Sequence, residues 1–113
     1  MATTDQSQVF TALAIRDTSN HNGAEAVTAE FMAQTIVIYN GLDQTVTLQL
    51  QGSRDEGTTW INMGDTFAVT ASTNSYETVT DYFPWYRLTA ICSGGSPTSG
   101  VLDAWILKTG ATN

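Results

Sequence analysis

The strongest constraint on the fold is an alternation of apolar and polar residues with a period of two, which dominates the chain from about residue 35 onward. Val46, Leu48 and Leu50 alternate with Thr or Gln, and residues 66–71 and 85–92 repeat the pattern. Successive side chains of a β-strand point to opposite faces, so the pattern predicts strands with one buried face. Such runs recur about every 8–12 residues, which is typical of a sandwich or barrel.

We therefore expect an all-β protein, a single jelly-roll-like β-sandwich of about 7–9 antiparallel strands. The 113 residues allow one domain. The expected organisation is a flexible N-terminal arm over residues 1–8, the sandwich over 9–108 and a polar C-terminal tail over 109–113. Turn-forming residues separate the strands at Asn40-Gly41, Gly64-Asp65, 72–75 and 93–100.

One segment, residues 24–33, is ambiguous between a short helix and a strand. Its Ala and Glu content suits a helix. Val27, Ala29 and Phe31 alternate with Thr28, Glu30 and Met32, however, which favours a strand.

Two strands are apolar on both faces. In one, Ile36 and Ile38 point opposite to Val37 and Tyr39. In the last strand, Leu102, Ala104 and Ile106 form one apolar face, and Val101, Trp105 and Leu107 form most of the other. A strand of this kind has something covering its second face. Either the N-terminal arm or a neighbouring subunit fits that requirement.

The charge balance argues against binding to nucleic acid or to an anionic membrane. Eleven acidic residues against four basic ones give a net charge of −7. The bases Arg16, Arg54, Arg87 and Lys108 are isolated from one another, so no basic patch is available to displace counterions from phosphates. Only 13% of the residues are charged. A neutral polar surface is less costly to desolvate than an ionic one, which favours packing against other proteins.

The single cysteine, Cys92, excludes an intramolecular disulfide and indicates folding in a reducing cytoplasm. The polar N-terminus lacks the basic start and apolar stretch of a signal peptide. No apolar run approaches the roughly 20 residues that cross a bilayer. We expect synthesis in a reducing cytoplasm and no membrane partner.

The sharpest local motif is residues 53–60, which match the Asp-box pattern Ser-x-Asp-x-Gly-x-Thr-Trp. In this pattern the aspartate accepts hydrogen bonds from turn amides, the glycine adopts a positive φ, and the tryptophan packs beneath the hairpin. One copy cannot build a propeller. We interpret the motif as a structural hairpin formed by Ser53, Asp55, Gly57, Thr59 and Trp60.

No residue pattern points to catalysis, a metal or a cofactor. His21 and Cys92 each lack a partner for a triad or a zinc site. Asp55 and Glu56 are too sparse for calcium. Residues 93–100 lack the lysine and helix of a phosphate-binding loop. The aromatic residues are interpreted mainly as core, and a carbohydrate-binding module that uses Trp60, Trp85 or Trp105 is the alternative.

Three stretches, residues 24–41, 50–60 and 86–106, together resemble small β-sandwich proteins of tailed-bacteriophage virions, especially head decoration (cement) proteins. The resemblance implies a non-enzymatic protein on the capsid exterior. Its implied partners are the major capsid protein and further copies of itself, as a dimer or trimer. Tail or baseplate sandwiches remain an alternative.

We expect the contacts of such an assembly to lie on the N-terminal segment and on the strands that are apolar on both faces. The candidate residues are Val9, Phe10, Leu13, Ile15, Val37, Tyr39, Val101, Trp105 and Leu107.

Overall fold

The computed structural model describes residues 2–27, 33–79 and 83–111. Within these ranges the chain forms nine strands and no helix. The strands are β1 (Ala2–Leu13), β2 (His21–Asn22), β3 (Ala26–Val27), β4 (Ala33–Asn40), β5 (Val46–Ser53), β6 (Ile61–Val69), β7 (Thr73–Val79), β8 (Trp85–Ile91) and β9 (Leu102–Ala111).

The strands form two antiparallel sheets. The four-stranded sheet has the order β1-β9-β4-β7, and the five-stranded sheet has the order β2-β8-β5-β6, with β3 also paired to β8. Every described pairing is antiparallel. The expected all-β sandwich is confirmed.

The core lies between the two sheets and follows the alternation in the sequence. Each central strand directs every second side chain inward, where it is almost fully buried. These side chains are Ile36 and Ile38 on β4, Val46, Leu48 and Leu50 on β5, Tyr86, Leu88 and Ala90 on β8, Cys92 just after β8, and Leu102, Ala104 and Ile106 on β9. Strand β8 begins directly after Pro84, and proline is tolerated at the start of a strand.

The N-terminal residues depart from the expected flexible arm. Strand β1 starts at Ala2, and its first half pairs with the end of β9, with Ala2 opposite Ala111. The described part of the expected arm (residues 2–8) therefore belongs to β1, and residues 109–111 of the expected tail belong to β9, which pairs with it. A backbone ladder needs no apolar side chains, so the polar sequence gave no signal for it. Lys108 helps to hold the segment, because its Nζ donates to Ser7 Oγ at 2.8 Å and lies 3.3 Å from Asp5 Oδ2.

Two expected breaks also fall elsewhere. Gly64, with φ of 68°, lies inside β6 where the register with β5 shifts, so Gly64-Asp65 forms a bulge rather than a strand end. Strand β7 begins at Thr73, which limits the turn before it to Ala71 and Ser72. Of the strand expected over 24–33, the structure has the two-residue strand Ala26–Val27, while Ala24 and Glu25 lie outside a strand and residues 28–32 lie outside the described residues.

The loop at 93–100 is held against the β4–β5 turn. Thr98 donates its backbone amide to Asp43 Oδ1 at 2.9 Å, and its hydroxyl donates to Asp43 Oδ2. These hydrogen bonds lower the pKa of Asp43. Gly100, with φ of 85°, packs so closely on the carbonyl of Gly41 that no Cβ would fit there.

Candidate interface on the outer face of the four-stranded sheet

The second apolar face of β4 and β9 is open to solvent. Val37, Trp105 and Leu107 are half-buried on the side of the sheet that points away from the core, and Tyr39 is 48% exposed. Strand β1 pairs alongside β9 and lies within the same sheet. The N-terminal segment therefore extends the sheet sideways rather than covering this face, which removes one of the two covers considered from the sequence.

Strand register brings these residues into one patch. Val37 is opposite Trp105 on β9 and opposite Tyr76 on β7, and Trp105 is opposite Gln8 on β1. Tyr76 is 69% exposed, the highest value among the large hydrophobic side chains described as exposed. We name this patch the aromatic face and define it by Gln6, Gln8, Val37, Tyr39, Tyr76, Trp105 and Leu107.

A groove runs along the aromatic face beside the Tyr39 and Trp105 rings. The two ring centroids lie 4.9 Å apart, and the ring planes are inclined by 66°. The groove has a volume of about 330 Å³ and is lined by Gln6, Val37, Tyr39, Trp105 and Leu107. Tyr76 projects one strand away from it, on the other side of Val37.

The outer side of this sheet carries almost no charge. Among its described outward positions, Asp103 is the one charged residue. Its Oδ1 accepts hydrogen bonds from the backbone amide of Ala12 at 2.8 Å and from Gln8 Nε2 at 3.3 Å. The chain as a whole carries −7, so the neutrality of this face is a local property.

The interface residues predicted from the sequence divide into two groups. Val37, Tyr39, Trp105 and Leu107 lie together on the aromatic face, and half-buried Val101 immediately precedes β9. The N-terminal residues are different, because Val9, Phe10 and Ile15 are buried in the protomer's own core and Leu13 packs against that core. Tyr76 is not among the interface residues predicted from the sequence, because only the β4–β7 register places it beside Val37.

The Asp-box residues form a hydrogen-bonded turn between β5 and β6. Ser53 is buried; its hydroxyl donates to Asp55 Oδ1 at 2.7 Å and accepts from the Gly57 amide at 2.9 Å. Asp55 Oδ1 also accepts from the Thr59 amide at 2.8 Å. The Ser53 hydroxyl, followed by the Thr59 amide, lowers the pKa of Asp55 to about 2. Gly57 has φ of 87°, as a turn of this type requires.

The three tryptophans do not share a surface. Trp60 lies under the guanidinium of Arg87, whose central carbon is 4.5 Å from the ring centroid. Arg87 and Trp85 alternate with buried Tyr86, so they face outward from the five-stranded sheet. Trp105 lies on the outer side of the other sheet. No platform can therefore combine all three tryptophans, and carbohydrate binding by Trp60, Trp85 or Trp105 separately stays a prediction.

The polar loop after β1 holds a carboxylate–imidazole pair. His21 Nε2 lies 2.9 Å from Asp17 Oδ1, and this contact contributes most to lowering the pKa of Asp17. Ser19 donates its hydroxyl to the same carboxylate oxygen at 2.9 Å. In a serine triad the serine hydroxyl contacts the imidazole, and the carboxylate contacts the other side of that imidazole. Here Ser19 and His21 both contact the Asp17 carboxylate, so this arrangement does not activate the Ser19 hydroxyl.

Cys92 is a fully buried free thiol, and burial raises its pKa. Across residues 2–27, 33–79 and 83–111, no cluster of three or more His, Cys, Asp or Glu side chains is positioned to hold a metal ion. The same part of the chain contains no helix long and apolar enough to cross a membrane.

The sequence matches no family model and no curated protein. Its fold does match solved structures. The PBSX exported protein XepA matches over 98% of this chain with a TM-score of 0.69 and 16% identity, and this chain spans 38% of the XepA chain. The SPBc2 prophage-derived protein YomS matches over 96% of this chain and 95% of its own, with a TM-score of 0.60 and 11% identity.

A third similar structure comes from Bacillus endospore appendages, which form disulfide-linked pili. It covers 97% of this chain and 89% of its own chain, with a TM-score of 0.60 and 14% identity. Likeness at these identities shows a shared sandwich fold.

Proposed function

We propose that the chain is a non-enzymatic structural protein of a bacteriophage particle, placed on the capsid exterior, where it binds the major capsid protein and further copies of itself. The observation that carries the proposal is the aromatic face, which the described residues of one protomer leave open to solvent. Tyr39, Tyr76 and Trp105 lie on it, and Asp103 is the one charged residue among the described outward positions of this sheet.

The chemistry of the aromatic face suits binding to protein. Tyrosine and tryptophan are enriched at the centres of protein interfaces, whereas charged residues are depleted there. Each of these rings buries a large apolar area and loses few rotatable bonds. Burial of neutral Thr, Asn and Gln side chains around them costs less than burial of ions.

The fold comparisons support a role in an extracellular or particle-bound assembly. YomS derives from a prophage, XepA is an exported protein, and the endospore appendages form pili. The residue-level resemblance to phage decoration proteins points to the same class. Disulfide linkage of the kind found in those pili is not available to this chain through buried Cys92, so we infer non-covalent contacts.

Attachment in many copies would suit the modest size of the surface. A repeated lattice presents many equivalent binding sites, and linked copies gain avidity without new contacts. A particle protein of this kind therefore needs only moderate affinity at each contact.

Glycan binding by Tyr39 and Trp105 is the second candidate. A flat platform stacks several sugar rings on coplanar aromatic rings, whereas the Tyr39 and Trp105 planes are inclined by 66°. An interlocking protein surface fits this inclined pair better than a planar sugar chain does. Retention of the purified chain on polysaccharide resin, lost in Trp105→Ser, would favour the glycan instead.

Immunogold electron microscopy of purified phage particles tests the proposed location. Antibodies are raised against the purified chain, and the same antibodies absorbed with that chain serve as the control. We expect gold over the heads of intact particles. Gold confined to tails or baseplates would overturn the capsid assignment, and unlabelled particles would overturn the virion role altogether.

A further inference from the structure

We infer that the aromatic face binds the aromatic face of a second copy of this chain, with the two copies related by a two-fold axis that runs along β4. The inference rests on the proposed structural function and specifies which surface two copies share. It leaves other surfaces of the protomer for the capsid.

The aromatic face carries both a projection and a recess. Tyr76 on β7 is the projection, at 69% exposure, and the groove that Trp105 and Leu107 of β9 help to line is the recess. Strand β4 lies between β7 and β9, so the two features sit on opposite sides of Val37. A surface that contains a shape and its complement can pair with itself.

A two-fold axis above β4 places these features against each other. Rotation about an axis along the strand direction exchanges the two sides of β4 and keeps positions along the strand. Val37 then faces Val37 of the second copy, and Tyr76 of each copy lies over Trp105 of the other. Each tyrosine ring can enter the groove beside that tryptophan, which is the isologous arrangement of a symmetric dimer.

The low charge of the outer side of this sheet permits a second copy as the occupant. Two chains of −7 repel each other wherever their acidic residues meet, and the outer side of this sheet carries one carboxylate among its described outward positions. The contact can therefore form without juxtaposing like charges at its centre. A surface shaped for a basic partner would instead present several of the acids.

The whole outer side of the four-stranded sheet, of which the aromatic face is part, is large enough for a dimer of modest stability. Four strands about 4.8 Å apart, each about eight residues long at about 3.3 Å per residue, project onto roughly 500 Å². Side-chain relief makes the accessible area larger than this projection. A specific interface buries about 800 Å² per partner in the standard range and roughly 500 Å² near the lower limit.

Symmetric cross-linking through position 37 tests this arrangement. Packed sheets lie about 10 Å apart, which exceeds the Cα separation of about 4.4–6.8 Å that a disulfide spans. A short bismaleimide is therefore the reagent, applied to dilute Val37→Cys protein and read on a denaturing gel. Asn62→Cys, at an exposed position on β6 of the other sheet, is the matched control. The wild-type chain, in which Cys92 is buried, measures the background rate of cross-linking through that residue.

We expect Val37→Cys to give a covalent dimer at least tenfold faster than Asn62→Cys. Adding Tyr76→Ala to Val37→Cys should slow the cross-linking reaction by roughly tenfold. A tenfold change corresponds to a free-energy difference of about 1.4 kcal/mol. Equal rates for Val37→Cys and Asn62→Cys would overturn the two-fold arrangement. Circular dichroism of each variant identifies a folding defect. Because only pure protein is used, a negative result leaves head labelling by immunogold as an independent outcome.

Discussion

Tyr39 and Trp105 contact each other edge to face across neighbouring strands, with ring centroids 4.9 Å apart and planes inclined by 66°. Their positions are diagonal in the register, since Trp105 is directly opposite Val37. Aromatic pairs prefer such inclined arrangements at separations of about 4.5–7 Å. The contact fixes both rings before any partner arrives, so binding loses less side-chain entropy.

The two faces of β4 should respond differently to substitution. Ile38→Ala removes methyl groups from the sealed core and should lower the free energy of unfolding by about 2–5 kcal/mol. Val37→Thr, one residue earlier, changes the outer face and should lower the stability of the isolated protomer by less than about 1 kcal/mol while weakening self-association. Urea denaturation at low protein concentration measures both. Similar losses for the two variants would show that the outer face is closed within the protomer.

The Asp-box turn should depend on the hydroxyl of Ser53. Ser53→Ala removes the buried hydroxyl that donates to the Asp55 carboxylate and accepts from the partly buried Gly57 amide, and it should lower the free energy of unfolding by about 1–3 kcal/mol. Thr58→Ala, on an exposed residue of the same turn, should stay within about 0.5 kcal/mol. Matched urea curves give both values, and an equal effect of the two changes would contradict a structural role for the Ser53 hydroxyl.

The lowered pKa of Asp55 predicts a specific loss of stability in acid. Its pKa is about 2 in the folded chain and about 3.9 when unfolded. The unfolded state therefore binds more protons between these values, so the contribution is fully present above about pH 4 and is lost as the pH falls through about 2. Asp55→Asn removes this group. We expect the urea midpoint of wild type to fall more steeply from pH 4 to pH 2 than that of Asp55→Asn, and parallel profiles would contradict the assignment.

Salt should strengthen self-association. Each copy carries −7, and the aromatic face contributes no ion pair to offset that repulsion. The Debye length shortens from about 30 Å at 0.01 M to about 8 Å at 0.15 M, which screens the repulsion between copies while the apolar contact remains. Sedimentation velocity across this range should show a growing dimer fraction. Dissociation on adding salt would indicate that charge pairs, rather than the aromatic face, hold the copies together.

Period-two alternation sufficed to predict the core strands and the two-sided character of β4 and β9. It signals which side chains are apolar, and the inward positions of Leu48, Leu88 and Ile106 follow from it. The same signal failed for the first half of β1, because Thr, Gln and Ser join a sheet edge through backbone hydrogen bonds alone. Gly64 was misassigned for a related reason, since a positive φ serves a bulge as well as a turn.

The candidate interface was only half accessible from the sequence. Val9 and Phe10 have the same apolar character as Val37 and Leu107, and only the paired sheets reveal that the first two seal the core. Tyr76 could not be placed, because its neighbours Ser75 and Glu77 give no apolar alternation and its position beside Val37 depends on register. Two features of the Asp-box, the Thr59 amide donating to Asp55 and the positive φ of Gly57, were predictable because they depend on residues at most four positions apart. The contact of Trp60 with Arg87 depends on the packing of two distant segments and was not predictable.

The molar mass of the wild-type chain in solution tests most directly whether the open aromatic face joins two copies. Sedimentation equilibrium over a wide concentration range should show the mass rising from the 12.2 kDa of one chain toward twice that value. Tyr76→Ala should shift this rise to higher concentration. A wild-type mass that stays at 12.2 kDa at every concentration reached would contradict pairing through this face.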